Sequence, residues 1–113
     1  MARLDIVTFP DKFLKQPVKA VDTIDDSVQT IIDDMAETMY QAPGVGLAAI
    51  QVGIDKRIIV YDPAADAEKR DFQTLINPVI LSQEGAMLSE NEGCLSVPDF
   101  RADVKRASAV VVE

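Results

Sequence analysis

Residues 25–40 read DDSVQTIIDDMAETMY, and this stretch decides the fold class of a 113-residue chain. Val28, Ile31, Ile32, Met35, Ala36 and Met39 recur at i, i+3, i+4, i+7, i+8 and i+11, one apolar stripe at helical period. Thr23, Asp25 and Asp26 supply N-terminal caps and place negative charge at the positive end of the helix dipole. Ala42-Pro43-Gly44 stops the helix, which is therefore expected from Asp25 to Tyr40. The stripe predicts Ile31, Ile32, Met35 and Met39 in the core and Asp33, Asp34 and Glu37 in water. Asp33 and Glu37, four residues apart, read as a solvated face rather than a cation site.

Upstream, Leu4 to Thr8 is expected to extend as a strand or lie against the core. Phe9-Pro10-Asp11 reads as a turn into a short helical piece carrying Phe13 and Leu14, ended by Pro17. Downstream the pattern changes to short strands. Arg57–Tyr61 is β-branched and nearly all apolar, the mark of a strand covered on both faces. Asp62 to Asp71 is polar and contains Pro63, an exposed loop. Leu75-Ile76 and Val79-Ile80-Leu81 flank Asn77-Pro78, two strand pieces bent at a proline. Met87 to Ser89 is a further strand, Pro98-Asp99 a turn, and Ala102 to Val104 and Ser108 to Val112 are the last strands. One amphipathic helix followed by short, mostly antiparallel strands defines an α+β fold in a single domain, residues 1–113. The final Ala109-Val110-Val111-Val112-Glu113 leaves a raw apolar strand edge, and the domain is expected to be incomplete at this end.

Composition narrows the function classes. A net charge of −8 argues against a general nucleic-acid or anionic-membrane surface, which needs clustered Lys and Arg. No run approaches the ~18 apolar residues of a membrane span, and no signal-peptide core opens the chain. A single cysteine excludes an internal disulfide and suits a cytoplasmic setting.

Two segments carry candidate chemistry. In Gly44-Val45-Gly46-Leu47-Ala48-Ala49-Ile50-Gln51 the glycines allow close backbone approach, and Gln51 is the one polar side chain. Its amide must find a partner: a substrate oxygen, or simply nearby backbone. The segment lacks G-x-G-x-x-G and follows a helix rather than a strand, so it is not a dinucleotide site. In Glu92-Gly93-Cys94-Leu95-Ser96, Cys94 is either a thiolate ligand for Fe²⁺ or Zn²⁺ or a small buried residue. With no histidine in the chain to serve as base, a nucleophilic role for Cys94 is rejected.

Taken together the two segments resemble the first and second motifs of the peptide deformylases, G-x-G-L-A-A-x-Q and E-G-C-L-S. Gly44, Gly46, Leu47, Ala48, Ala49 and Gln51 match the first, and Glu92 to Ser96 match the second. R-I-I-V-Y-D and L-I-N-P lie between them in the family's order, and helix 25–40 precedes the first motif as it does in the family.

The resemblance implies a metal-dependent hydrolase that removes the formyl group from N-formyl-methionyl nascent peptides at the ribosome. Cys94 would be one ligand of Fe²⁺, or of Zn²⁺ or Ni²⁺. The Gln51 amide and the Leu95 N–H would form the oxyanion hole, and the peptide would lie extended along Gly44, Val45, Gly46, Glu92 and Gly93. Glu92 would have a supporting role. The family's third motif, an H-E-x-x-H helix bearing two ligands and the general base, is absent. The chain as given is therefore expected to be inactive. The contrasting expectation is a catalytically dead, deformylase-like module that only binds peptide.

Overall fold

The Asp25 carboxylate starts the helix. It accepts from the Val28 N–H at 3.1 Å and the Ser27 hydroxyl at 2.6 Å, satisfying an otherwise orphaned backbone donor. Helix α1 follows over Asp26–Gln41 in the computed structural model, which describes residues 3–63 and 70–113 (backbone alone at 91, 99 and 100). At its end the Ala42 N–H reaches Thr38 O and the Gly44 N–H reaches Met39 O.

Val28, Ile32, Met35, Ala36 and Met39 are buried as the stripe predicts, but Ile31 is only half-buried. Asp33, Asp34 and Glu37 are half-buried too, rather than wet. For Asp33 and Glu37 the cause is side-chain cover. Gln29 donates to Asp33, while Arg70 at 2.5 Å and Gln41 at 2.6 Å close over Glu37.

The stripe packs on an antiparallel sheet of order β1-β2-β3, with β1 at Gly46–Ala48, β2 at Ile58–Tyr61 and β3 at Gln73–Ile76. Leu47 pairs with Val60 across β1–β2 and Ile58 with Ile76 across β2–β3. Leu47, Ile58 and Val60 meet the helix in one core. Burying each such aliphatic side chain is worth about 1.5–3 kcal/mol. The expectation that β2 is covered on both faces needs correction: Ile59 and Tyr61 are only half-buried. A strand shows alternate side chains to opposite faces, and α1 closes only one of them.

Asp62 also departs from the loop predicted for 62–71, of which residues 64–69 lie outside the described residues. It is 1% exposed and accepts from the Tyr40 hydroxyl at 2.6 Å and the Asp71 N–H at 3.1 Å. The Arg70 guanidinium lies 4.7 Å from the centre of the Tyr40 ring. Burial, aided by the Asp62 charge, pushes the Tyr40 hydroxyl up to about 12.

Asn77 turns the chain out of β3 at φ 51°, the left-handed region that asparagine tolerates. Its amide brackets Val21, accepting from the N–H at 2.8 Å and donating to the carbonyl at 2.9 Å. Beyond it come β4 (Ile80–Glu84), β5 (Met87–Cys94), β6 (Val97–Arg106) and β7 (Ala109–Val112). β5 and β6 form an antiparallel hairpin, and β4 pairs antiparallel with β7 around it. The turn predicted at Pro98-Asp99 is displaced to Leu95-Ser96, and Pro98 belongs to β6. Pairing jumps from Gly93↔Arg101 to Cys94↔Val97, so residues 98–100 are unopposed and the missing proline N–H breaks no ladder bond.

Every residue of β4 and β7 is exposed, including Ile80, Leu81, Val110, Val111 and Val112.

Residues 4–8 form no strand. Leu4 packs on the core and its N–H reaches the buried Thr38 hydroxyl at 2.7 Å. Lys12–Lys15 form the short helical piece, a 3₁₀ turn capped by Asp11. No helix among the described residues is long and apolar enough to cross a membrane.

Candidate functional site

Gly44, Gly46 and the alternation of β1 bring the first motif to the edge of the sheet. Asp62 donates its N–H to Val45 O at 2.9 Å, so the neighbouring residue Gly46 turns its peptide groups to the edge of β1 away from β2, where no strand pairs among the described residues. The strand then tightens into a 3₁₀ turn, Ala49–Val52, which swings Gln51 back beneath it. There the Gln51 Oε1 accepts from the Ala48 N–H at 3.0 Å. With its oxygen committed, the amide can present only its NH₂ to the other side. That group donates to the Ser96 hydroxyl at 3.2 Å and, at 3.5 Å, to the Cys94 Sγ. The amide oxygen thus bonds to backbone, as one expectation had it, while the NH₂ is held by side chains of the second motif.

The second motif arrives from the β5–β6 hairpin. Cys94 ends β5 and is exposed, not a small buried residue. Leu95 enters the turn, and its side chain occupies the space a side chain at Gly44 would need. A Cβ added at Gly44 would stand 2.8 Å from Leu95 Cδ1, so the second motif's leucine packs directly on the first motif's glycine.

Two backbone bonds from the N-terminal segment fasten the motifs together. The Val7 N–H reaches Gln51 O and the Phe9 N–H reaches Ser96 O, both at 2.7 Å. The result is a groove of about 800 Å³ whose walls include Gly44, Val45, Gly46 and Gln51 on one side and Gly93, Cys94 and Leu95 on the other.

Of the residues expected to act in catalysis, metal binding or substrate binding, Glu92 stands apart from these walls. Its carboxylate forms a fork with Arg106, 2.7 Å to the Nη2 and 3.1 Å to the Nε. This pairing, with a hydrogen bond from Ser89, pulls Glu92 down to about 2. Sequence reasoning assigned no role to Ser96, which is 2% exposed and holds the Gln51 amide. It also passed over Arg3 and Arg101, which line the groove. No sequence period marks these residues, because the pairings that place them span many residues.

The donor set does not fit a complete metal centre. The chain contains no histidine, and among the described residues no three His, Cys, Asp or Glu side chains come together. Cys94 offers one ligand where an open catalytic site needs three from protein.

Comparison with known proteins agrees with the order of the motifs. The family model described as polypeptide deformylase matches residues 3–113. A peptide deformylase of Desulfosudis oleivorans is 50% identical over 113 residues, covering 100% of this chain and 65% of that protein. One from Syntrophobacter fumaroxidans is 49% identical over 99% of this chain and 65% of its own length. The chain thus spans just under two thirds of the length of these curated relatives. Among solved structures, a peptide deformylase from Legionella pneumophila superposes with a TM-score of 0.91 at 45% identity, over 98% of this chain and 64% of that one. A Synechococcus elongatus peptide deformylase, solved in complex with actinonin, gives 0.90 at 43% identity, over 99% of this chain and 61% of that one. Matched along nearly its whole length in both sequence and fold, the chain belongs to the polypeptide deformylase family.

Proposed function

We propose that these residues form the formyl-peptide cradle of a peptide deformylase, which hydrolyses the N-formyl group of N-formyl-methionyl nascent chains in the cytoplasm. The observation that carries this reading is the clamped Gln51 amide, whose NH₂ is aimed at Cys94 inside the groove. Sulfur is a weak acceptor, so a formyl oxygen entering beside Cys94 would compete well for that N–H. Charge building on the oxygen would be met by Gln51 Nε2 and by the Leu95 backbone N–H, held beforehand by the turn. The peptide would run along the outer edge of β1, using the peptide groups of Gly46 and the backbone of Gly93.

Cys94 would supply one ligand to Fe²⁺, or to Zn²⁺ or Ni²⁺. The remaining ligands and the group that activates water are not in this donor set, so no step through the metal is derived from these residues. That deficit favours a second reading for the 113 residues taken alone, namely peptide binding without hydrolysis.

Calorimetric titration with formyl-Met-Ala-Ala-amide, its deformylated counterpart and a formate-release assay test both. Gln51→Leu should weaken the formylated peptide about three- to tenfold, the worth of one hydrogen bond. Equal affinity for formylated and deformylated peptides would sink the cradle. Formate release by the 113-residue chain would overturn the second reading.

A further inference from the structure

The groove has a charge character that the proposed chemistry does not use. In a chain of net charge −8, its walls carry two guanidiniums, Arg3 and Arg101, and no carboxylate among the described residues. Both arginines are exposed, and neither has an ion-pair partner among the described residues. Arg106, five residues along the same strand, is by contrast fully engaged by Glu92.

Arg101 stands directly opposite Gly93 in the β5–β6 ladder. Its guanidinium lies across the glycine so closely that a Cβ at position 93 would meet Nη1 at 2.6 Å, Cζ at 2.8 Å and Nε at 2.9 Å. The missing side chain of Gly93 is therefore the seat of the Arg101 head group, one residue from Cys94. Arg3 precedes the N-terminal segment that ties Gln51 to Ser96 and reaches the same groove.

We propose that Arg101, assisted by Arg3, is a specificity residue that reads a carboxylate on the bound peptide, downstream of its formylated methionine. The proposal rests on the formyl-peptide cradle described above. A planar fork of donors with no ion-pair partner among the described residues is suited to a carboxylate, which it can bind through two parallel N–H bonds. The acidic exterior repels such a peptide elsewhere, and the groove is where that sign reverses. The carboxylate could belong to an acidic side chain or to the chain terminus of a short peptide.

Calorimetry on the 113-residue chain with formyl-Met-Ala-Glu-amide, formyl-Met-Ala-Gln-amide, formyl-Met-Ala-Ala-amide and free-acid formyl-Met-Ala-Ala separates these sources. The glutamate peptide should bind about three- to tenfold more tightly than the glutamine peptide at low salt, and the preference should shrink at high salt. A terminal carboxylate is the target if the free acid instead outbinds its amide. Arg101→Gln should bring the glutamate peptide down to the affinity of the glutamine peptide, and binding of either peptide shows that the variant is folded. Arg101→Lys should retain part of it, and Arg3→Gln should reduce it. No carboxylate preference, or a preference unchanged in Arg101→Gln, overturns the inference and leaves the cradle standing. Failure of every formylated peptide to bind overturns both.

Discussion

Replacing Tyr40 by Phe removes one oxygen atom, and the structure gives that oxygen a specific task. The Tyr40 hydroxyl donates at 2.6 Å to a carboxylate on Asp62, a residue 1% exposed. The ring stays filled by Phe, and packing against the core and Arg70 is kept. The loss is therefore one short bond to a buried charged group, about 1.5–3 kcal/mol. Urea unfolding followed by the far-ultraviolet signal of α1 should show a lower midpoint with an unchanged slope.

The same residue fixes a pH response. Burial first, and Asp62 second, raise the Tyr40 hydroxyl from about 10 to about 12. A raised folded value means stability is fully present below pH 10 and is lost as pH rises towards 12, because the unfolded chain ionises first. Wild type should lose stability across that window, and Tyr40→Phe should lack this step. A cost below about 0.5 kcal/mol at pH 7, with the alkaline step intact in the variant, would refute the assignment of the bond.

Truncating Ile32 to Ala should cost ~2–5 kcal/mol, and Ile31→Ala clearly less because Ile31 is half-buried; equal losses in urea unfolding would misplace the core face. Glu92, drawn down to about 2 by Arg106, contributes stability above its ordinary value of 4.5 that is lost as pH falls towards 2. Titration by carboxyl NMR should therefore find it ionised at pH 3.5, and a midpoint near 4.5 would remove the Arg106 fork from solution. Amide hydrogen exchange should be fast in β4 and β7 and slow in β2, since an isolated two-stranded sheet exposed throughout opens at little cost. Equal protection of β7 and β2 would mean that the exposed pair is covered in solution.

Local patterns carried a large part of this molecule. The stripe from Val28 to Met39 and the cap at Asp25 gave the helix to within a residue at each end, because an amphipathic period depends only on near neighbours. The two glycine-bearing motifs were legible only as a pair, through their resemblance to the peptide deformylases; read singly, each left a backbone-bonded glutamine or a small buried cysteine open.

What the tertiary structure alone decided involves partners far apart in the chain. The Gln51 amide acquires its orientation from Ala48 on one side and from Cys94 and Ser96, over forty residues away, on the other. Asp62 looked like the first residue of a polar loop, yet Tyr40 makes its burial tolerable, because a carboxylate leaves water only when donors replace the solvent. Arg101 was one exposed cation among several until β-pairing set it over Gly93, and Pro98 looked like a turn until a register jump excused its missing N–H. Sequence periodicity reports which face a residue belongs to. Only the closed fold determines which residue stands opposite.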